Sequence, residues 1–181
     1  MAHTLRMPSV KLVPYDPSYL QSVIAWRNEP LAVRHNPFKK MSEEELDKMF
    51  AEAGTNLSML GKHEGFSWFI SVDGIAVGVL SLKNISHSMS YAEIGYSVTE
   101  SHQAKGIATA AVRLMVDKIF AESKLRRLLA YVHEENHASR RVLEKLGFQE
   151  EGLLREHYVI NGIPVNEVLY GLLKREWVSA E

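Results

Sequence analysis

Residues 100–114 read Glu-Ser-His-Gln-Ala-Lys-Gly-Ile-Ala-Thr-Ala-Ala-Val-Arg-Leu, a polar loop that runs directly into an amphipathic helix. The small residues of 103–108 predict a tight turn at the start of that helix. The first turn of a helix leaves backbone N–H groups without partners, and the helix dipole adds partial positive charge there. An anionic phosphate is the usual ligand of such a site. Taken alone, however, the segment fits an ordinary strand-to-helix connection better. The segments around it determine whether a phosphate site is the better interpretation.

The bulk composition is typical of one ordinary globular domain. The chain has 181 residues, of which 46% are hydrophobic, so we expect a single domain over residues 1–181 with a sizeable core. A formal net charge of -1 argues against an electrostatic nucleic-acid binder. The absence of cysteine excludes disulfides, thiolate metal sites and a cysteine nucleophile.

No targeting or membrane segment is visible in the sequence. The first eight residues lack the apolar run that a secretory signal requires. No apolar stretch approaches the ~20 residues that a membrane-spanning helix needs. We therefore expect a soluble, cytoplasmic protein with no membrane partner.

Several segments around the opening loop alternate apolar and polar residues with a period of two. Asp73-Gly74 and Asn161-Gly162 are turn sequences that favour tight β-hairpins between such segments. Gly95, inside one of them, suggests a bulge or a close approach of the backbone. The predicted strands cover residues 10–15, 66–72, 75–82, 90–98, 127–133, 148–160 and 163–173.

Helical spacing and capping residues predict helices before and between these strands. Asp16 resembles an N-cap with Pro17 at the first helical position, whereas Pro30 and Pro37 are expected to break the segment that follows. The pair at 42 and 45, Ser and Glu, forms a capping-box pattern. The residues predicted to face the core are Leu20, Val23 and Ile24, then Leu46, Met49 and Phe50, then Ile107, Ala110, Ala111, Leu114, Met115 and Ile119, and finally Ala138, Val142 and Leu146.

This order of elements predicts one α/β domain with a mixed sheet. The strand–helix–strand unit that contains Gly106 should be a right-handed parallel crossover. Its loop should lie at the carboxyl ends of the strands, where ligands bind in open sheets. The loop lacks the Gly-Lys-Ser/Thr of a P-loop and the three glycines of a dinucleotide-binding turn.

Three segments, in this order, resemble the GNAT superfamily of acetyl-coenzyme A-dependent N-acetyltransferases. Residues 103–108, Gln-x-x-Gly-x-Ala, resemble the family's pyrophosphate loop. Residues 92–98 are similar to the strand that splays to hold the pantetheine. Residues 136–148, with Asn-x-x-Ser at their start and Glu-Lys-Leu-Gly-Phe at their end, are similar to the family's last motif. Gly-Leu-Leu-Arg-Glu at 152–156 and Leu-Tyr-Gly-Leu-Leu at 169–173 resemble the RimJ/RimL-type branch, which acetylates protein N-termini among other amines.

The resemblance implies an α/β (α+β) fold with a mostly antiparallel central sheet, a parallel crossover at the coenzyme A loop and helices on both faces. It also implies acetyl-coenzyme A as the co-substrate and no metal. The residues that it implies for coenzyme A binding are Tyr96, Val98, Gln103, Ala104, Lys105, Gly106, Ile107, Ala108, Thr109, Asn136, Ser139 and Arg141.

Acetyl transfer needs a base for the amine and an acid for the leaving thiolate. Glu93 is the candidate base, although a strand carboxylate at this position also fits an ordinary surface residue. Many relatives carry a tyrosine seven residues after the asparagine, but this sequence has Leu143 there. Ser139 is therefore the preferred candidate acid, and Tyr158 in the final hairpin is the second. The backbone N–H of Val98 is the implied oxyanion contact.

The acceptor side is the least determined part of the sequence. Its candidate residues are Trp26, Arg27, Asn28 and Trp68, with Phe38, Tyr158 and Asn161 as further members of the set. The leading hypothesis is transfer of acetyl to a primary amine, such as a protein or peptide N-terminus, by direct attack on the thioester. A small-molecule amine acetyltransferase acting on a polyamine, an amino-acid conjugate or an antibiotic is one alternative. A non-catalytic acyl-coenzyme A-binding module is another, and a homodimer is left open.

Overall fold

A computed structural model describes residues 9–36 and 39–177, which contain one seven-stranded sheet. Its spatial order is β1-β2-β3-β4-β5-β7-β6, and neighbouring strands are antiparallel except for the parallel pair β4 and β5. The predicted mixed, mostly antiparallel sheet is confirmed. The strands are β1 (Val10–Val13), β2 (Phe66–Val72), β3 (Ile75–Ser86), β4 (Tyr91–Val98), β5 (Arg127–His133), β6 (Gln149–Ile160) and β7 (Ile163–Leu173).

Five α-helices accompany the sheet in the described part of the chain, and short 3-10 turns lie at Pro17–Tyr19, Leu57–Met59, Glu100–His102 and Lys174–Glu176. The helices are α1 (Leu20–Arg27), α2 (Pro30–His35), α3 (Glu43–Glu52), α4 (Ile107–Glu122) and α5 (His137–Lys145). α4 connects β4 to β5 and forms the predicted parallel crossover. Among the described helices, none has the length and apolar character needed to cross a membrane.

The sheet buries side chains on both of its faces because successive strand residues point to opposite sides. On one face, Trp68 and Ile70 of β2 share a core with Met115 of α4. On the other face, Phe69 packs edge-on against Phe50 of α3, with ring centroids 5.2 Å apart. Helices therefore cover both faces of the sheet, as expected. We call the first the α4 face and the second the α1 face.

Both predicted hairpin turns form. Asp73 and Gly74 have φ angles of 50° and 86°, and Asn161 and Gly162 have φ angles of 52° and 80°. Two consecutive residues with positive φ define the turn that matches the right-handed twist of paired strands. The turns join β2 to β3 and β6 to β7.

The first helices agree with the prediction in their capping box and differ from it at Pro30 and Met49. Pro30 does not break the chain but begins α2, because the first helical position needs no N–H donor; Pro37 lies outside the described residues. The capping box of Ser42 and Glu45 forms as predicted. Met49, expected to face the core, is instead 40% exposed.

The buried faces of α4 and α5 contain other residues than predicted. Leu114 is 40% exposed, and α4 buries three apolar residues that the prediction omitted, namely Val112, Val116 and Phe120. In α5, Ala138 is exposed and Leu143 is buried instead. The sheet surface decides which residues of an apolar helix turn inward, and that surface is not a local property of the helix sequence.

Candidate active site

β4 and β5 separate after a short paired stretch and leave a wedge between them. Their parallel pairing covers only Tyr91–Glu93 on β4, and within the described chain residues 94–98 have no partner on β5. β5 continues beside β7 along its whole length. The wedge therefore has its vertex at Glu93 and opens toward the carboxyl end of β4.

The main chain of β4 presents polar groups to this wedge. The N–H of Thr99 donates to the carbonyl of Val77 at 2.9 Å, and Val98 lies opposite Gly78. In an antiparallel ladder, alternate residues direct their N–H and C=O groups toward opposite neighbours. Tyr96 and Val98 therefore direct theirs away from β3 and into the wedge.

The loop before α4 forms a cradle of free backbone amides. Gly106, with φ of 76°, is the N-cap of α4, and Ala104 also has a positive φ of 58°. Ala110 N–H makes the first helical hydrogen bond, to Gly106 O at 3.0 Å. Within the described chain, no acceptor takes the N–H groups of residues 104–109. This arrangement suits a pyrophosphate, since it combines several donors with a helix N-terminus. The residues in it are Ala104, Lys105, Gly106, Ile107, Ala108 and Thr109.

Two side chains brace this cradle. The amide Nε2 of Gln103 donates to Val98 O at 3.0 Å, which links the loop to the end of β4. The ammonium of Lys105 donates to Ser101 O at 2.8 Å. Both side chains thus turn back onto the loop, and the backbone amides face outward.

Glu93 lies at the vertex of the wedge, where both of its carboxylate oxygens have donors. Lys83 Nζ lies 2.9 Å from Oε1, and Asn84 Nδ2 donates to Oε2 at 2.6 Å. The Glu93 side chain is only 12% exposed. Gly95, on the same side of β4, shows no bulge. A Cβ there would lie 2.8 Å from Ser81 Oγ, so the predicted close approach involves a side chain.

Tyr96 and Ser139 meet on the α4 face of the wedge. The Tyr96 hydroxyl lies 2.8 Å from Ser139 Oγ and donates to Ser139 O at 3.0 Å. Asn136 is the N-cap of α5, and its Oδ1 accepts from Ser139 N at 3.1 Å. Burial raises the pKa of Tyr96 well above its usual value. Tyr96 is thus a neutral hydroxyl that orients Ser139.

Two other candidates lie apart from this pair. Arg141 is exposed on α5, and its neighbour Arg140 is occupied by Tyr170, Glu134 and Glu150. Tyr158 is 43% exposed on β6, and its ring makes an edge-on contact with the His157 ring at 6.4 Å. The structure therefore does not bring Tyr158 to Ser139 or Glu93.

The four acceptor candidates do not lie together. Trp26 and Arg27 line a small cavity with Ser97 on the α1 face. Asn28 is exposed, and its side chain caps α1 by donating to Ile24 O at 2.8 Å. Trp68 is wrong as a candidate, because it is 3% exposed in the core of the α4 face. Of the wider set, Phe38 lies outside the described residues, and Asn161 forms the exposed hairpin turn.

Sequence reasoning missed the contacts that hold α2 across the mouth of the wedge. At one end of α2, Glu29 accepts hydrogen bonds from the Thr99 hydroxyl and from Glu100 N. At the other end, Arg34 forms an ion pair with Glu135 at 3.0 Å. These contacts join the end of β4 to the loop after β5. They involve residues up to 101 positions apart, and no local signal predicts them.

Sequence reasoning also missed a polar cluster on the α1 face of β5–β7. Glu167 is buried, and its carboxylate lies 2.7 Å from His157 Nδ1. Tyr131 stacks on the His157 ring with centroids 5.5 Å apart. The one available signal is a glutamate in a last strand that is otherwise mostly apolar. Among the described residues, no group of three or more acidic, histidine or cysteine side chains is arranged to hold a metal.

Comparisons with known proteins identify the family of this fold. Residues 9–149 match the profile of the acetyltransferase (GNAT) domain. The chain belongs to the GNAT family of acetyltransferases. It is similar to the RimJ/RimL-type branch in both sequence and structure.

Two curated relatives represent different acceptors. The chain is 41% identical over 105 residues to the putative ribosomal N-acetyltransferase YdaF of Bacillus subtilis, a match covering 58% of this chain and 57% of that relative. It is 30% identical over 110 residues to spermidine N(1)-acetyltransferase of Escherichia coli K12, covering 61% of this chain and 59% of that relative. The chain thus aligns with less than two thirds of either relative's length.

A solved structure matches nearly the whole chain. RimJ of Mycobacterium smegmatis in complex with CoA-disulfide has a TM-score of 0.77 and 28% sequence identity. The match covers 92% of this chain and 83% of RimJ. The likeness thus extends over most of the fold.

Proposed function

We propose that this protein transfers the acetyl group of acetyl-coenzyme A to a primary amine, with a protein or peptide N-terminus as the leading acceptor class. One observation carries the proposal. A wedge between β4 and β5 opens beside a cradle of free amides and has a carboxylate, Glu93, at its vertex. Membership of the GNAT family and similarity to ribosomal-protein acetyltransferases support it.

The residues present fit coenzyme A. The free N–H groups of 104–109 would bind the pyrophosphate, and the main-chain N–H and C=O groups of Tyr96 would bind the pantetheine arm. Asn136, the N-cap of α5, would contact the pantetheine arm. Arg141, which is exposed on the same helix, would contact a phosphate at the far end of the cofactor. Acetyl-coenzyme A supplies a thioester carbonyl that an amine can attack.

Glu93 is the proposed base. An amine attacks only in its neutral form, and an α-amine with pKa ~8 reaches that form more easily than a lysine with pKa ~10.4. Each carboxylate oxygen can accept more than one hydrogen bond, so the contacts with Lys83 and Asn84 leave room for a further donor. Glu93 then accepts the amine proton directly or through a water.

Ser139 is the proposed acid for the departing thiolate. The Tyr96 hydroxyl donates its one proton to the Ser139 carbonyl, so its oxygen accepts from Ser139 Oγ–H, and rotation of the serine hydroxyl would turn that proton toward the departing thiolate. Asn136 fixes the first turn of α5 and thereby the position of Ser139. The backbone N–H of Val98, directed into the wedge, is the proposed donor to the carbonyl oxygen as charge develops there. Tyr158 remains the alternative acid, although its position on β6 gives it less support.

A small cationic amine is the second candidate acceptor. Glu93 and the buried Glu167 give the α1 face of the site two carboxylates, which would attract a polyamine. The sequence similarity to a spermidine acetyltransferase supports the same candidate. A non-catalytic coenzyme A-binding module is the remaining alternative.

Thiol release from acetyl-coenzyme A over a panel of amines tests these alternatives. The panel contains peptides with free N-termini, the same peptides with blocked N-termini, spermidine and an amino acid amide. We expect turnover with free N-termini, and Glu93→Gln should lower kcat about 10²–10⁴-fold while leaving the Kd for coenzyme A unchanged. The exposed Glu64→Gln is the matched control. Tight coenzyme A binding without turnover by any amine, with no effect of Glu93→Gln, would show a binding module instead.

A further inference from the structure

The His157–Glu167 pair has features beyond those of a surface ion pair. Glu167 is 8% exposed, whereas the His157 side chain is 45% exposed. A buried carboxylate is costly unless a donor compensates it, and His157 Nδ1 lies 2.7 Å from its Oε2. Because the carboxylate accepts, Nδ1 carries the proton in this contact. The other ring nitrogen, Nε2, is then a free acceptor in the neutral imidazole.

The ring is also held by its neighbours. Tyr131 of β5 stacks on it at 5.5 Å with an interplanar angle of 22°, and Tyr158 contacts its edge at 6.4 Å. The carboxylate and the stacked ring together fix the orientation of the imidazole. Enzymes often orient a catalytic base through a third group in this way.

The pair lies on the same face of the sheet as Glu93. In β5 and β7, Val132 and Val168 belong to the core of the α4 face. The adjacent Tyr131 and Glu167 therefore point to the α1 face, as Glu93 does in β4. Burial, followed by the charge of Glu93, raises the pKa of Tyr131, and the charge of Glu167 acts in the same direction. Along β5, Leu129 pairs with Glu93 and His133 pairs with Glu167, so Tyr131 lies between the positions of the two carboxylates.

The proton balance of the proposed reaction requires two acceptors. An ammonium that becomes an amide loses two protons from nitrogen. The thiolate takes up only one proton, which Ser139 donates; solvent then restores the proton of Ser139 and removes the proton that Glu93 accepted. The other proton has to leave the nitrogen before attack and go to solvent.

We propose that His157, oriented by Glu167, accepts the first proton of the incoming ammonium on Nε2 and passes it to water. This inference rests on the proposed acetyl transfer. The N–H bond of the ammonium breaks, its electron pair stays on nitrogen as the nucleophile, and an imidazolium forms beside the Glu167 carboxylate. Glu93 then takes the second proton at the vertex. The titratable groups around His157 are Glu167 and His133, which are cross-strand neighbours on β7 and β5, together with Tyr131, Tyr158 and Glu93.

The test is the pH dependence of kcat/KM for His157→Gln, measured with an N-terminal peptide and with spermidine as probe amines. At about pH 6.5 most of either amine is protonated. There we expect kcat/KM of the variant to be about 10²-fold lower, which is the lower end of the range for a general acid–base group. Toward pH ~9.5 the solution itself supplies more neutral amine, so the loss should shrink to about threefold with the peptide, whose α-amine has pKa ~8. With spermidine, whose amines are more basic, the loss should persist to higher pH.

Two further variants separate proton transfer from structure. His87→Gln replaces an exposed histidine in the β3–β4 turn and should match the parent protein at every pH. Glu167→Gln keeps an oxygen for Nδ1–H but removes the charge that stabilises the imidazolium, so it should show a smaller loss with the same pH trend. Because Glu167 is buried, thermal melting checks that the Glu167→Gln variant folds. If Glu167→Gln does not fold, the result for His157→Gln decides the test.

The outcomes are distinguishable. A loss that is equal at every pH, or no loss in His157→Gln while the parent protein acetylates amines, overturns the role of His157 and leaves the proposed function intact. If the parent protein transfers acetyl to neither probe nor to any other panel amine, the proposed function fails and this inference fails with it.

Discussion

The Tyr96 hydroxyl lies 2.8 Å from Ser139 Oγ and joins the open end of β4 to the first turn of α5. These two elements are otherwise separated by the wedge, since β4 and β5 stop pairing at Glu93. The contact therefore fixes the position of Ser139 relative to the strand whose main chain faces the wedge. It also makes the two hydroxyls one unit, so their substitutions should not act independently.

We expect Ser139→Ala to lower kcat by more than tenfold, and Tyr96→Phe to lower it less, because Tyr96 only orients the serine. The double variant should be no slower than Ser139→Ala, since the tyrosine has nothing left to orient. Tyr96→Phe should also lower the free energy of unfolding by ~1–2 kcal/mol, because the Ser139 carbonyl loses its partner. Thiol-release kinetics and urea unfolding measure the two effects.

Tyr170→Phe is the matched control for this prediction. The Tyr170 hydroxyl also bonds to α5, taking a hydrogen bond from Arg140 and donating to Glu144. Its loss should lower stability with no change in kcat. Equal kinetic losses in Tyr96→Phe and Tyr170→Phe would mean that α5 is merely loosened, which contradicts a specific role for the Tyr96 contact.

Gly106→Ala should weaken coenzyme A binding. Gly106 has φ of 76°, where a side chain adds ~1–2 kcal/mol of strain, and its added methyl group would enter the open space beside the N-terminus of α4. We expect the Kd for coenzyme A to rise about tenfold or more, that is by ~1.4 kcal/mol or more, in isothermal titration.

Gly147→Ala controls for the strain alone. Gly147 has φ of 83° and open space around its Cβ position, as Gly106 has, but it follows α5 and lies away from the cradle. Both variants should lose comparable stability, and only Gly106→Ala should lose affinity. A similar loss of affinity in both would show that strain, not the loop geometry, governs binding.

The elements that the sequence predicted carry local signals. Asn161-Gly162 forms the turn that its chemistry demands, and the apolar spacing around Gly106 predicts α4 wherever the helix packs. Contacts between distant segments carry no such signal. Glu100 accepts a hydrogen bond from Leu31 N, 69 positions earlier, and nothing near either residue indicates the other.

The direction of a side chain relative to the sheet is also a non-local property. The sequence places Trp68 among the acceptor candidates because exposed and buried aromatic residues have the same pattern in sequence. The structure sends it to the α4 face, where Nε1 donates to Thr55 O. His157 and Glu167 lie in different strands, and only the register of β6 with β7 makes them neighbours.

Gly78→Ala should destabilise the end of the wedge. A Cβ at Gly78 would lie 2.3 Å from Ser97 O and 3.1 Å from Val98 Cα, both of which are backbone atoms that cannot rotate away. We expect a loss of ~1–3 kcal/mol in the free energy of unfolding, as for overpacking in a core. Urea unfolding at constant pH measures it.

Gly61→Ala is the corresponding control, because nothing lies within 4 Å of its added Cβ. That variant should be neutral or slightly more stable, since alanine restricts the unfolded chain. Equal stability of the two variants would contradict the close approach of β3 to β4. If Gly78→Ala folds, its coenzyme A affinity should also fall, because Val98 is displaced.

Acid should loosen α2 through His35. Burial, followed by the charge of His133, lowers the pKa of His35 below its ordinary value of 6.5, and its buried Nε2 has no partner among the described residues. Because the folded-state pKa is the lower one, the unfolded chain binds more protons as the pH falls. The contribution of neutral His35 to the free energy of unfolding is therefore fully present above about pH 6.5 and is lost as the pH falls below that value.

His35→Phe keeps a ring against His133 but removes this titration. Between about pH 7.5 and about pH 5.5, the urea midpoint of the parent protein should fall further than that of His35→Phe. The exposed His87→Gln should follow the parent protein. The difference isolates His35, because the other charged groups near it are unchanged in all three proteins, namely Arg34, His133, Glu135 and His137. Parallel pH profiles for the parent protein and His35→Phe would mean that protonation of His35 does not affect the stability of the fold.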